Sequence, residues 1–257
     1  MKGRPKGPGK ARNGSLQPAT YALSLPPPAA IFDTVSGPRN RPPRVGILIT
    51  FEGGEGSGKS TQIELLARWL EEAGYEVSTA REPGTTAVGE AVRRIVLETA
   101  PESLAPEAEL ALFLAARAQL VAETVGPALA AGRIVLVDRY GDSSVAYQGY
   151  GRGLDPDVIA GANRWATREL DPDLTLLIDV PVEAVRIRRR RPPDRLERAG
   201  SAFHQRVREG YRRLARKEPE RFWVVDGTES IETTQAAIRD RVSVLLAERL
   251  AQKTETS

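Results

Sequence analysis

The chain of 257 residues contains no cysteine and a single histidine. The first absence excludes a disulfide framework, a thiolate metal site and a cysteine nucleophile. His204 lies in an Arg-rich stretch of helical spacing without a Ser or Asp partner pattern, so it reads as a surface residue rather than a catalytic one. No stretch approaches the roughly 18 consecutive apolar residues of a membrane-spanning helix. The basic start, Lys2 to Arg12, is not followed by the apolar segment of a secretory signal. No membrane partner is expected, and the cytoplasm is the default compartment.

The net charge of +3 is unevenly placed. Residues 1–44 hold eight Lys/Arg, one acid (Asp33) and nine of the nineteen prolines, with neither helical nor strand periodicity. They read as a disordered, basic, Pro-rich extension. The packed pattern begins at Val45, so either the native start lies downstream or the extension is a genuine basic arm; N-terminal sequencing of native protein separates the two. Residues 45–257 carry 29 basic and 33 acidic side chains. This mildly acidic remainder forms no aromatic-and-basic surface, so no nucleic acid partner is expected.

From Val45 onward, short apolar runs alternate with amphipathic segments. Runs at 45–51, 76–80, 134–137, 174–178 and 222–225 read as buried strands. Helical spacing covers 59–73, 87–99, 106–131, 155–169, 181–190, 201–216 and 231–250. Strands separated by helices imply βαβ crossovers, hence an α/β domain over 45–257 with a five-stranded parallel sheet flanked by helices.

The first strand runs directly into Gly53, Gly54, Glu55, Gly56, Ser57, Gly58, Lys59 and Ser60. This is G-x-x-x-x-G-K-[ST] between an apolar strand and an amphipathic helix, the setting in which the motif cradles phosphates. Its glycines let backbone N–H groups point at phosphate oxygens at the positive end of the helix. Lys59 would reach the β and γ phosphates of ATP, and Ser60 would ligate Mg²⁺. The loop alone does not separate kinases from GTPases, motors and other ATPases.

The third apolar run ends in Asp138, Arg139 and Tyr140. Ligands of open α/β sheets sit at the carboxyl ends of strands, so these side chains should emerge beside the loop. Asp138 would hold Mg²⁺ through water and Arg139 would bind an acceptor phosphate, with a structural salt bridge as the alternative. In the segment after Pro106, Arg117 falls on the apolar stripe of Leu110, Phe113, Leu114 and Val121. Phe113 and Arg117 are helical neighbours and would offer an aromatic face and a guanidinium to one ligand, unless Arg117 merely snorkels from the stripe edge. Arg81 lies at the end of the second strand, and Ser143 to Gly153 form a polar and aromatic run that reads base edges and sugar or is only a Gly-rich turn. Six arginines between Arg186 and Arg195 are either a solvated face or a lid bringing charge to the transferring phosphoryl group; the lid, about 186–200, is preferred.

Taken in order, these motifs closely resemble thymidylate kinases of the bacterial type. The resemblance rests on Phe51 to Thr61, Arg81-Glu82-Pro83-Gly84, Phe113 to Arg117, Asp138-Arg139-Tyr140, Ala146-Tyr147-Gln148-Gly149 and Asp194-Arg195-Leu196-Glu197, and covers about 45–250. It implies the P-loop fold of nucleoside monophosphate kinases, ATP and Mg²⁺ as donor, dTMP as acceptor, and a homodimer. It also implies roles: Gly53 to Thr61 on ATP, Glu55 on the sugar 3′-hydroxyl or in the Mg²⁺ shell, and Phe113 stacked on thymine. Arg117 and Gln148 would read the base with Ser144 nearby, Tyr147 would crowd the ribose 2′ position, and Arg81 and Arg139 would hold the dTMP phosphate. The phosphate loop carries no arginine, so the resemblance implies the type with its charge in the lid, Arg195 being the catalytic candidate. Thr85 departs from the family, which commonly has a second glycine after Arg-Glu-Pro-Gly. The lid is slightly short, and Arg188 to Arg191 are all candidates for contact with ATP.

Two rival functions have sequence signatures. A nucleoside kinase on the same fold would need a carboxylate base, for which Glu52 or Glu82 would serve. A nucleotide-dependent regulator gripping nucleic acid through residues 1–44 would show salt-sensitive DNA binding.

Overall fold

The structure, a computed structural model, describes residues 3, 45–98, 104–188 and 195–255. Apart from Gly3, the expected basic extension lies outside the described residues, as do Arg189, Arg190 and Arg191 of the expected lid.

Five strands form one parallel sheet: β1 (Ile47–Glu52), β2 (Val77–Arg81), β3 (Ile134–Asp138), β4 (Leu174–Asp179) and β5 (Phe222–Asp226), in the order β2-β3-β1-β4-β5. All five are the apolar runs of the sequence, each extended at its carboxyl end by a polar residue that the backbone ladder still includes. The helices are α1 (Lys59–Glu72), α2 (Ala87–Glu98), α3 (Pro106–Leu120), α4 (Gly141–Ser144), α5 (Pro156–Thr167), α6 (Val182–Arg188), α7 (Ser201–Lys217) and α8 (Ile231–Glu255).

The segment expected as one helix over 106–131 leaves α-helical geometry at Val121–Val125, a π-helical turn, and resumes at Gly126–Ala130. Pro127 explains the break: it has no N–H to donate and its ring crowds the carbonyl one turn earlier, so the helix widens ahead of it. The polar run after Tyr140 is helical too, α4 continuing as a π-helical segment at Val145–Gly151.

Alternation along β1 places Ile47, Ile49 and Phe51 against Leu66 and Leu70 of α1 and Val242 and Leu245 of α8. Leu48 faces the other way, with Leu120, Val125 and Leu129. Each fully buried side chain of this size contributes about 1.5–3 kcal/mol, so the central strands anchor the sheet. Register then decides the site: Phe51 and Arg81 both pair with Asp138, bringing the carboxyl ends of β1, β2 and β3 level.

Candidate active site

Beyond β1 the chain turns sharply through Gly53, where φ is +134° and a Cβ would meet the Ile178 carbonyl at 2.4 Å. Only glycine passes there. The loop ends at Gly58, whose left-handed backbone (φ 98°) opens α1. Lys59, 6% exposed, folds its ammonium back to donate to the carbonyls of Gly53 (3.2 Å) and Gly54 (2.9 Å). Burial and the neighbouring Arg139 charge hold its pKa below the ordinary lysine value, against the opposing pull of Asp138, Glu55 and Glu52. The Ser60 hydroxyl donates to Asp138 Oδ2 at 2.9 Å, so the two expected cation ligands are adjacent.

Arg139 occupies the end of β3 with φ 71°, a conformation that costs a non-glycine residue roughly 1–2 kcal/mol. The strain is held in place from several sides. Nη1 donates to Gly53 O (3.0 Å), Ser143 Oγ (3.2 Å) and Tyr211 OH (3.1 Å). Nη2 donates to Glu55 Oε1 (2.6 Å) and Tyr147 OH (3.1 Å). The guanidinium is thereby bolted to the phosphate loop itself. Burial disfavours its charge, but Glu55, Tyr147, Tyr211 and Asp138 more than offset that and keep it protonated.

A cavity of about 420 Å³ opens over these groups. Its floor is Glu55, Gly56, Gly58, Lys59, Ser60 and Thr61, and beside them stand Asp138 and Arg139. Arg81, Phe113, Ser144, Tyr147 and Gln148 complete the expected acceptor side and also line it. Gly53 and Gly54 border instead a second cavity of about 280 Å³, on the other flank of the loop towards α6 and α7. Among the described residues, the hydroxyls of Ser57 in the loop and Ser144 at the cavity wall are buried without a hydrogen-bond partner. Native proteins rarely leave such groups unanswered.

Two expected ligand residues are placed otherwise. Arg117, 1% exposed, is not part of the cavity lining. Its guanidinium is spent on both carboxylate oxygens of Glu82, on Asn163 Oδ1 and on the Tyr140 carbonyl, because a buried charge must be matched where it lies. Arg195, 2% exposed, donates to Val96 O (2.6 Å) and to Glu109 Oε2, while its neighbour Leu196 reaches the cavity beside Phe113. Arg195 thereby ties the segment ahead of α7 to α2 and α3. Thr85 has φ 67°; Arg81 N–H donates to its Oγ1 (2.9 Å) and its own N–H donates to Glu90 (3.1 Å), local bonds that offset the strain.

The cavity also contains residues that the sequence did not single out. Arg93 of α2 lines it and donates to the Pro83 carbonyl at 3.1 Å. Its neighbour Arg94 is exposed, and nothing in the sequence separates the two. Glu52 lies beneath the site: its oxygens accept from Tyr140 N–H (2.8 Å), Ser143 Oγ (2.6 Å) and Tyr211 OH (2.9 Å). Ser143 and Tyr211 are the same hydroxyls that accept from Arg139, so Glu52 steadies the guanidinium at one remove.

Burial and the nearby Asp142 charge push the Glu52 carboxyl from 4.5 up to about 7, despite Arg139 and its hydrogen bonds. A carboxyl that binds its proton more tightly folded than unfolded contributes stability below the unfolded value and loses it as pH rises through the folded one. Glu52→Gln cannot titrate. The wild type is therefore expected to lose about 3 kcal/mol of unfolding free energy relative to this variant as pH rises across that window. Urea denaturation of both proteins over a pH series checks this, and a constant difference contradicts it.

The thymidylate kinase family model matches residues 51–238, a span holding the loop, Arg139 and every cavity wall. A thymidylate kinase of Geotalea uraniireducens (strain Rf4) is 47% identical over 215 residues, covering 79% of this chain and 100% of that protein. One from Clavibacter sepedonicus is 50% identical over 205 residues, covering 79% and 97%. The crystal structure of the thymidylate kinase from Ehrlichia chaffeensis superposes with a TM-score of 0.64 at 34% identity, covering 77% of this chain and 98% of that one. With the family model matched over 51–238 and relatives at 47% and 50% identity covered almost from end to end, the chain belongs to the thymidylate kinase family.

Proposed function

We propose that the chain transfers the terminal phosphoryl group of ATP to the 5′-phosphate of dTMP, giving ADP and dTDP, with the donor on the Gly53–Ser60 loop and the acceptor between Phe113 and Arg139. The observation that carries this is the bond from Arg139 Nη1 to the Gly53 carbonyl (3.0 Å). It sets the cation suited to an acceptor phosphate directly against the loop suited to the donor, so two polyanions would meet end to end.

The acceptor explains why no general base is needed. A phosphate monoester has its second pKa near 6 and is largely deprotonated at neutral pH. What remains is to align two anions and screen their repulsion, a task for Lys59 and Arg139. Glu55 now occupies Arg139, and an arriving phosphate would compete for the same guanidinium, freeing Glu55 towards the sugar 3′-hydroxyl or a cation. Phe113 supplies an apolar face for the base and Ser144 an unanswered hydroxyl. The phenol of Tyr147, fixed on Arg139, would crowd a 2′-hydroxyl and favour the deoxy sugar.

Mg²⁺ suits the oxygen donors gathered here: Ser60 and Asp138, already in contact, with Glu55 nearby on the cavity floor, would hold it beside the phosphates. When bound, it supplies positive charge that neutralises the phosphate oxygens. The homodimer implied by the resemblance belongs to the same proposal and is checked by sedimentation.

A nucleoside acceptor is disfavoured by the two carboxylates that would have to serve as base. Both oxygens of Glu82 are taken by Arg117, and those of Glu52 by Tyr140, Ser143 and Tyr211. A coupled assay of ADP release with dTMP, dUMP, dCMP, dGMP and thymidine tests the proposal. Turnover is expected with dTMP and none with thymidine; a preference for thymidine or a purine monophosphate overturns it.

A further inference from the structure

Glu109 of α3 is 1% exposed and carries no role in the chemistry described above. Four donors converge on it. Oε1 accepts from Gln148 Nε2 (2.8 Å) and Arg152 Nε (3.3 Å), and Oε2 accepts from Arg152 Nη2 (3.2 Å) and Arg195 Nη2. Gln148, equally buried, lines the cavity, and its side-chain carbonyl accepts no hydrogen bond from any described residue. Phe113 stands one helical turn beyond Glu109 on α3 and lines the same cavity. The aromatic face and the carboxylate are thus fixed relative to each other by a single rigid element.

An amide side chain is a donor at one end and an acceptor at the other, and which end meets a ligand depends on what holds the opposite end. An ionised carboxylate can only accept. Holding Gln148 by its NH₂ group, Glu109 leaves the carbonyl oxygen as the end free for a ligand. Thymine and uracil carry an N–H at ring position 3, whereas cytosine has a bare acceptor nitrogen there. We propose that Glu109 is a specificity-determining positioning residue that locks the Gln148 amide with its acceptor towards the base, so that the site takes keto-imide pyrimidines and rejects the amino-pyrimidine of dCMP. This rests on the function proposed above. Burial works against the charge on Glu109, but hydrogen bonds from Gln148, Arg152 and Arg195 outweigh it and hold its pKa below the ordinary value, so the lock is set at neutral pH. The 5-methyl group plays no part, and dUMP and dTMP are treated alike at this position.

The test is the ratio of kcat/KM for dTMP to that for dCMP, measured on the full chain for wild type, Glu109→Gln and Glu109→Asp. Glu109→Gln offers Gln148 a partner that is donor or acceptor, so the amide is free to turn. The ratio is expected to fall by at least ~10-fold, a part of the ~10⁴-fold or more by which sites built to hydrogen-bond a group reject analogues lacking it. Glu109→Asp keeps an acceptor-only partner and is expected to restore most of the ratio, whereas loss of a merely structural role would lower both substrates alike and leave the ratio unchanged. If circular dichroism shows that Glu109→Gln does not fold, Gln148→Leu decides, since it leaves Glu109, Arg152 and Arg195 in place. Loss for dTMP with dCMP unchanged or improved supports the lock. An unchanged ratio, or equal losses for both substrates, overturns it. Absence of dTMP turnover in the wild type would instead refute the proposed function, so the two failures are distinct.

Discussion

Replacing Arg139 by alanine is expected to lower kcat for dTMP by at least ~10²-fold, the scale of losing one preorganised charge-stabilising donor. The guanidinium makes five hydrogen bonds, to Gly53, Ser143, Tyr211, Glu55 and Tyr147, from a backbone held at φ 71°. Arg139→Lys is expected to recover little, because an ammonium has three rotatable donors and cannot reproduce the planar fork that spans the loop carbonyl on one side and Glu55 on the other. Steady-state assays with both variants, each checked for native circular dichroism, measure this. Rates near wild type in Arg139→Ala would mean that the acceptor phosphate is held elsewhere in the cavity, with Arg81 or Arg93 as the remaining lining arginines.

Lys59→Ala should fall at least as far, again ~10²-fold or more in kcat. Its ammonium is folded onto the loop carbonyls of Gly53 and Gly54 and is almost fully enclosed, so it serves two ends. It shapes the loop before the donor arrives, and in the proposed reaction its charge would lie where the transferring phosphoryl group develops its own. The loss is expected mainly in kcat, since an interaction strengthened in the transition state affects turnover rather than ground-state affinity. A variant that raised only the KM for ATP would assign Lys59 to simple donor binding.

The phosphate loop and the end of β3 were legible because their chemistry is local. Gly53, Gly58, Lys59 and Ser60 stand in the fixed spacing by which a strand turns into a helix around phosphates, and Asp138-Arg139 follows a run of buried aliphatics. The strands were legible for a related reason: sheets covered on both faces need unbroken apolar runs. Gly141 to Gly151 escaped recognition as a helix because Asp142 to Gly149 are buried on every side, so no amphipathic period survives to be read. Pairings across the fold were hidden for a different reason. Glu82 with Arg117 and Glu109 with Arg195 lie 35 and 86 residues apart in the chain, and Glu52 meets Tyr211 across 159. Spacing along the chain does not announce such partners, and only packing shows that a buried arginine has a carboxylate waiting. That is why Arg117 and Arg195, expected to face ligand, are found on Glu82 and Glu109. It is also why Glu52, weighed only as a base for a different acceptor, lies beneath Arg139 as its support.

Phosphorus NMR of the full chain with ATP, dTMP and magnesium follows both substrates and both products in one tube. dTMP is expected to be consumed as dTDP and ADP accumulate in equal amounts. Unchanged dTMP, whether ATP persists or is hydrolysed to inorganic phosphate, would contradict it.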